Sequence, residues 1–164
     1  MVNMTIFGLA LDETNKAPIL VLKGEDETSV LPIWIGAMEA MAISMALNKV
    51  DFPRPMTHDL LLNVIAQLDS KLVRIEVTDI EKGMFFAELV VETEKGVKRI
   101  DSRPSDAIAL AVRAECPILV ADKVVSEAST PYQEDAETVI KTEDADKWMD
   151  ELDKLSEDDA KYKM

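Results

Sequence analysis

The residues best suited to chemistry lie in the run Asp101-Ser102-Arg103-Pro104-Ser105-Asp106. Two carboxylates, two hydroxyls and a guanidinium fall within six positions. Pro104 fits the first turn of a helix, where its missing N–H costs nothing. Ser102 or Arg103 is then the expected cap, and Asp106 lies in the first turn, facing the positive end of the helix dipole. Helix N-termini offer free N–H donors to phosphate or carboxylate ligands. A fixed arginine suits a phosphate fork, and neighbouring carboxylates suit Mg²⁺ or Mn²⁺, which prefer oxygen ligands.

Two other groups have the same character. Glu39 stands at the start of an earlier helix. Arg54, Thr57, His58 and Asp59 stand at the start of another, with Thr57 as its expected cap. Prolines 53 and 55 enclose Arg54 and stiffen it, because each restricts the residue before it. A histidine is suited to general acid–base work. Together these are the parts of a phosphodiester hydrolase. His58, Asp59, Asp101 and Asp106 are its candidate catalytic residues. Arg54, Arg103, Ser102 and Ser105 are candidates for phosphate binding, and Asp101, Asp106 and Glu39 for the metal. A structural reading stands beside this one, since Thr57, Asp59 and Asp106 are also what ordinary helix caps look like. No glycine-rich phosphate loop, His-Glu-x-x-His pattern or serine elbow occurs.

The elements that must position these groups follow from the apolar pattern. Thr5–Leu11 and Ala17–Lys23 read as a strand pair, Gly24–Glu27 as a turn and Val30–Ile35 as a third strand. Ala37–Leu47 reads as a helix whose Met38, Met41 and Met45 form a stripe suited to core or interface. Thr57 leads a second helix through Leu60, Leu61, Leu62, Val64, Ile65 and Leu68. Leu72–Thr78, Met84–Val91 and a strand ending at Ile100 come next. Ala107–Ala114, apolar nearly all round, reads as a buried helix, and Pro117–Ala121 as a short last strand. A shift of 67 positions lays Asp106 on Glu39 and Ile100 on Ile33. The expected fold is therefore α+β: duplicated β-β-β-α units with an extra helix between them and an acidic helical tail.

The chain has 164 residues and a net charge of −14. From Ser126 onward 13 acids stand against 5 lysines, so −8 of that charge lies in the tail. Residues 1–125 are expected to form the domain and 126–164 an acidic tail. In that tail Trp148, Met149, Leu152 and Leu155 make a small amphipathic helix, expected to dock on the body or a neighbouring subunit, or to bind a protein partner. The mildly acidic body weighs against gripping nucleic acid mainly by phosphate neutralisation. One cysteine, Cys116, and one histidine cannot build a thiolate–imidazole zinc site. No long apolar run and no signal-peptide pattern occur, so no membrane association and a cytoplasmic location are expected.

Leu31-Pro32-Ile33-Trp34-Ile35-Gly36 with Glu39, then Pro53–Leu60, then Ile100–Leu110 closely resemble the bifunctional nuclease domain family, over about Met4 to Val125. The family's motif residues fall on Glu39, Arg54, Thr57, His58, Asp59, Asp101, Ser102, Arg103, Ser105 and Asp106 without departure. The resemblance implies a bacterial, cytoplasmic, compact α+β domain that is oligomeric, a dimer first. It also implies DNase and RNase activity of the kind described for some members, notably plant ones. Three readings follow: a metal-assisted nuclease on DNA and RNA with no organic cofactor, a non-catalytic oligomeric module binding a phosphate-bearing ligand or protein partner, and a structural network. Open carboxylates at metal-bridging distance mark the first. An arginine-lined pocket without a carboxylate pair marks the second, and buried, mutually bonded Arg103, Asp106 and His58 mark the third.

Overall fold

In the computed structural model, residues 1–12, 14–25, 29–131 and 139–141 are described. The expected tail helix around Trp148 lies outside them. The strands are β1 (Val2–Leu11), β2 (Pro18–Gly24), β3 (Ser29–Trp34), β4 (Lys71–Glu81), β5 (Met84–Thr93), β6 (Gly96–Ser102), β7 (Ile118–Val120), β8 (Thr130–Pro131) and β9 (Val139–Lys141). The helices are α1 (Ala37–Leu47), α2 (Thr57–Gln67), α3 (Pro104–Ala114) and α4 (Asp122–Ala128). The described chain is a mixed α+β fold. One sheet runs in the order β6-β5-β4-β7-β1-β2-β3-β8, with β9 paired to β1. Its only parallel pair among the described strands is β4 with β7.

Local chemistry explains the elements. β4 alternates past an irregularity between Leu72 and Arg74: Leu72, Ile75 and Val77 join the buried core, and Arg74 and Glu76 lie between them in sequence. β4 and β5 are joined through Lys82-Gly83, both at positive φ (51° and 80°). That is the two-residue hairpin turn that suits twisted strands. α3 ends where Glu115 enters the left-handed region, and Pro117 forbids a further turn.

α3 is the central helix, as its composition predicts. Ala107, Ile108, Ala109, Leu110 and Ala111 are all buried, against α1 on one side and β4 and β5 below. Burial of Ile108 and Leu110 contributes about 1.5–3 kcal/mol each. The alanines between them keep the neighbouring backbones close.

Several expectations need correction. Of the methionine stripe of α1, Met41 packs against the core and Met38 is exposed, while the fully buried residues of the helix are Ala40, Ile43 and Ser44. α2 buries no residue fully. Only Leu62 and Ile65 pack on the core, while Leu60, Leu61, Val64 and Leu68 face solvent. Met56, not Thr57, is the N-cap of α2. β6 runs two residues past Ile100, to Ser102. α4 was not foreseen. It straddles the expected division at 125/126, buries Val124, and leads to β8 on β3.

β3 and β6 stand six strand positions apart, which in a flat sheet is roughly 29 Å. Their C-terminal ends nevertheless border one cleft, so the sheet is strongly coiled. This coiling brings the β3–α1 and β6–α3 junctions face to face.

Candidate active site

The site is built where those two junctions meet the start of α2. Glu39, Asp59 and Asp106 are each the third residue of their helices. There an acid faces unpaired backbone N–H groups and the positive end of the dipole. Arg103 is the N-cap of α3 but makes no side-chain cap bond. Its guanidinium is turned to the acids instead. Nε donates to Asp106 Oδ2 at 2.7 Å, and Nη1 donates to Glu39 Oε1 at 2.9 Å. The other oxygen of Asp106 meets His58 Nε2 at 3.3 Å.

A continuous relay therefore runs His58–Asp106–Arg103–Glu39 across α2, α3 and α1. Because a carboxylate only accepts, His58 Nε2 carries the proton in this pairing, and Nδ1 is left to exchange one elsewhere. The relay is graded in exposure: His58 is 17% exposed, Glu39 22%, Asp106 35% and Arg103 65%. Burial would raise the Asp106 carboxyl, but the hydrogen bonds from Arg103 and His58 outweigh it and hold it below its ordinary value. Asp106 is thus charged at neutral pH. Arg103 is pushed the other way, its guanidinium stabilised first by Asp106 and then by Glu39.

Glycine at position 36 makes room for this. Its backbone is ordinary extended chain (φ −78°, ψ 162°). A Cβ there would nevertheless come within 2.2 Å of Glu39 Oε2.

A cleft of about 710 Å³ opens beside Arg103. Trp34 and Glu39 border it from the β3–α1 junction, Met84 and Phe85 from the β4–β5 hairpin, and Asp101 and Ser105 from the β6–α3 junction. Ser102 Oγ donates to the Arg103 carbonyl at 3.0 Å, which fixes the junction rather than capping the helix. Arg54 is exposed and, among the described residues, has no hydrogen-bond or ion-pair partner.

Asp59 belongs to a different set. Its Oδ2 accepts from Met56 N at 2.9 Å, and its Oδ1 accepts from Arg113 Nε at 2.9 Å. Arg113 also donates to the carbonyls of Ala109 and Ala42, at 2.8 and 3.0 Å. This nearly buried arginine ties α1, α2 and α3 together beneath the relay. In the sequence it is one charge in an apolar helix, and nothing local marks it. A second unforeseen network crosses the sheet. The almost wholly buried Glu76 accepts from Arg74 and from Arg99, and Arg99 also bonds Glu88.

The donor set does not fit a metal. Among the described residues no three His, Cys, Asp or Glu side chains gather around a common point. Of the three expected ligands, Glu39 and Asp106 are both engaged by Arg103, and Asp101 borders the cleft without joining them. Among the described residues no helix is long and apolar enough to cross a membrane.

Residues 20–133 match the family described as the bifunctional nuclease domain. An uncharacterized protein of Mycobacterium tuberculosis is 33% identical over 98% of this chain and 99% of its own length. "Bifunctional nuclease 2" of Arabidopsis thaliana is 33% identical over 65% of this chain, but the match spans only 34% of that plant protein. The rice protein of the same name is 30% identical over 69% of this chain and 36% of its own. The family match over residues 20–133 includes both junctions and the start of α2, and the chain belongs to the bifunctional nuclease domain family.

Proposed function

We propose that this chain is a nuclease that hydrolyses phosphodiester bonds in DNA and RNA at the His58–Asp106–Arg103–Glu39 relay. The observation that carries the reading is that His58 and Arg103, types suited to proton transfer and phosphate binding, meet the two oxygens of one carboxylate, Asp106. The plant relatives named as nucleases support it.

In this reading His58 takes a proton from water at Nδ1 as the water oxygen attacks phosphorus. Asp106 holds the ring and stabilises the imidazolium that forms. The ester P–O bond breaks as charge builds on the non-bridging oxygens, and the exposed edge of Arg103 meets that charge. The leaving oxygen takes a proton from solvent water, and His58 returns its own proton to solvent. Glu39 keeps the guanidinium in place, so it is a positioning residue. Ser105 and Asp101 border the space that the phosphate and its sugar would occupy. No step is routed through Mg²⁺ or Mn²⁺.

The same geometry favours a second reading, a phosphate-binding module without catalysis, because Glu39 and Asp106 are both paired to Arg103. One experiment separates the two. Single- and double-stranded DNA and RNA are incubated with purified protein in Mg²⁺, Mn²⁺ or EDTA, beside an Asp106→Ala variant shown to be folded by circular dichroism. Cleavage that co-elutes with the protein, persists in EDTA and disappears in the variant supports the relay. Cleavage that requires metal and survives in the variant places the chemistry elsewhere. Equal trace activity in both proteins leaves the binding module.

A further inference from the structure

The cleft beside Arg103 is more apolar and aromatic than phosphate binding requires. Trp34 is 54% exposed although it is the last residue of a strand. Its Nε1 donates to Asp12 Oδ2 at 3.2 Å, and Asp12 is itself fixed by backbone N–H groups of Thr14 and Asn15. The ring is therefore held by its edge rather than buried by its faces. Phe85 and the 65% exposed Met84 border the same cleft from the β4–β5 hairpin. Exposing such side chains next to a guanidinium costs apolar burial that the fold could have kept.

We infer that this cleft takes one unstacked base of a single-stranded nucleic acid on Trp34, with the adjoining phosphate on Arg103. The inference rests on the reading of Arg103 as a phosphate residue. A π-face recognises every base, so the contact is tolerant of sequence and of DNA or RNA. A paired base in a duplex keeps its faces covered by its neighbours and cannot enter. Stacking also answers the charge problem. A chain of net −14 cannot depend on neutralising many phosphates, but a stacked base with one or two phosphate contacts needs little cationic surface.

The test is equilibrium binding by fluorescence anisotropy, without divalent metal and with a short labelled DNA whose backbone resists cleavage. Its partners are the matching duplex and an abasic strand of the same length. The full chain is used as wild type, Trp34→Ala, Trp34→Phe and Arg103→Ala. The single strand is expected to bind about tenfold or more tightly than the duplex or the abasic strand. Trp34→Ala is expected to lose about tenfold in affinity and Trp34→Phe to recover most of it. The salt dependence should be shallow, with a log–log slope of about −1.

Equal affinity for abasic and normal strands, or no effect of Trp34→Ala, overturns the stacking inference. If Arg103→Ala still weakens binding in that case, the phosphate reading survives alone. If Arg103→Ala changes nothing, the reading of the site fails as well.

Discussion

Glu39 and Asp106 share one guanidinium: Arg103 Nη1 reaches the first and Nε the second. The two acids are 67 positions apart and each is third in its helix. Without the arginine, two carboxylates would face one another at the edge of a cleft. With it, the junctions of β3–α1 and β6–α3 are locked and one edge of the guanidinium stays open. In the proposed reading, binding and positioning are thus properties of one residue.

Arg103 and Arg113 should separate function from stability. Arg103 is 65% exposed, so its ion pairs are screened and contribute little to folding. Arg103→Lys keeps the charge but loses the two-pronged geometry, and is expected to lower cleavage by about a hundredfold with little change in melting temperature. Arg113 is only 12% exposed and serves three helices. Arg113→Ala removes the donor to Asp59 Oδ1, while Oδ2 keeps Met56 N–H, together with the bonds to two carbonyls, and is expected to cost about 3 kcal/mol. That lowers the melting temperature by roughly 6–12 °C. Thermal denaturation and initial cleavage rates, measured on both variants, check the contrast.

His58 and Asp106 are expected to act as a unit. His58→Ala should lower the cleavage rate by about 10²–10⁴, the range for a lost acid–base group. Asp106→Asn keeps the shape but removes the charge that holds the imidazole and Arg103. The double variant should be no slower than the slower single variant, because both substitutions disable the same step. Rate losses that multiply in the double variant would mean that the two residues work independently.

What the sequence made legible is what depends on neighbours along the chain. The bounds of α1 are as read, and α3 announces itself by Pro104 and its unbroken apolar run. What the pattern could not say is what covers an apolar face. The leucines of α2 repeat at helical spacing, yet only Leu62 and Ile65 meet the core. α4, at seven residues, is too short to show a period. The candidate residues were legible as types, because acids and arginine at helix starts are conspicuous. Their partners were not, since Glu39 and Arg103 are 64 positions apart and only sheet coiling joins them. Of the three expected metal ligands, the same Arg103 guanidinium engages Glu39 and Asp106, while Asp101 borders the cleft apart from them.

Gly36 offers a test that leaves every charged residue in place. Its φ and ψ suit alanine, and Gly→Ala at a permitted position stabilises by about 0.4–1 kcal/mol through the unfolded chain. The new methyl would displace the Glu39 carboxylate, the far end of a flexible side chain. Gly36→Ala is therefore expected to fold normally, with a melting temperature close to wild type, because the weaker N-cap offsets the gain from the unfolded chain. Its cleavage should fall to that of Glu39→Ala, and the double variant should match either single one. Full activity in Gly36→Ala would show that the Glu39–Arg103 contact is dispensable.

Glu76 predicts where acid weakens the fold. It is 3% exposed, and its hydrogen bond with Arg99, joined by one from Arg74, holds its carboxyl below the ordinary 4.5 despite burial. A carboxyl with a depressed folded pKa stabilises fully above its unfolded value, and that contribution disappears as pH falls through the folded one. Glu76→Gln keeps the shape but loses the charged hydrogen bonds. It is expected to cost about 2 kcal/mol at pH 7, or roughly 4–8 °C in melting temperature. The gap between wild type and variant should close as pH drops below about 4.5. Melting curves of both proteins from pH 7 to 3 check this, and subtracting one from the other cancels the acid response of Asp106 and the remaining carboxylates. A gap that stays constant to pH 3 would assign the effect to packing, because the charge on Glu76 is the one titrating difference between the two proteins.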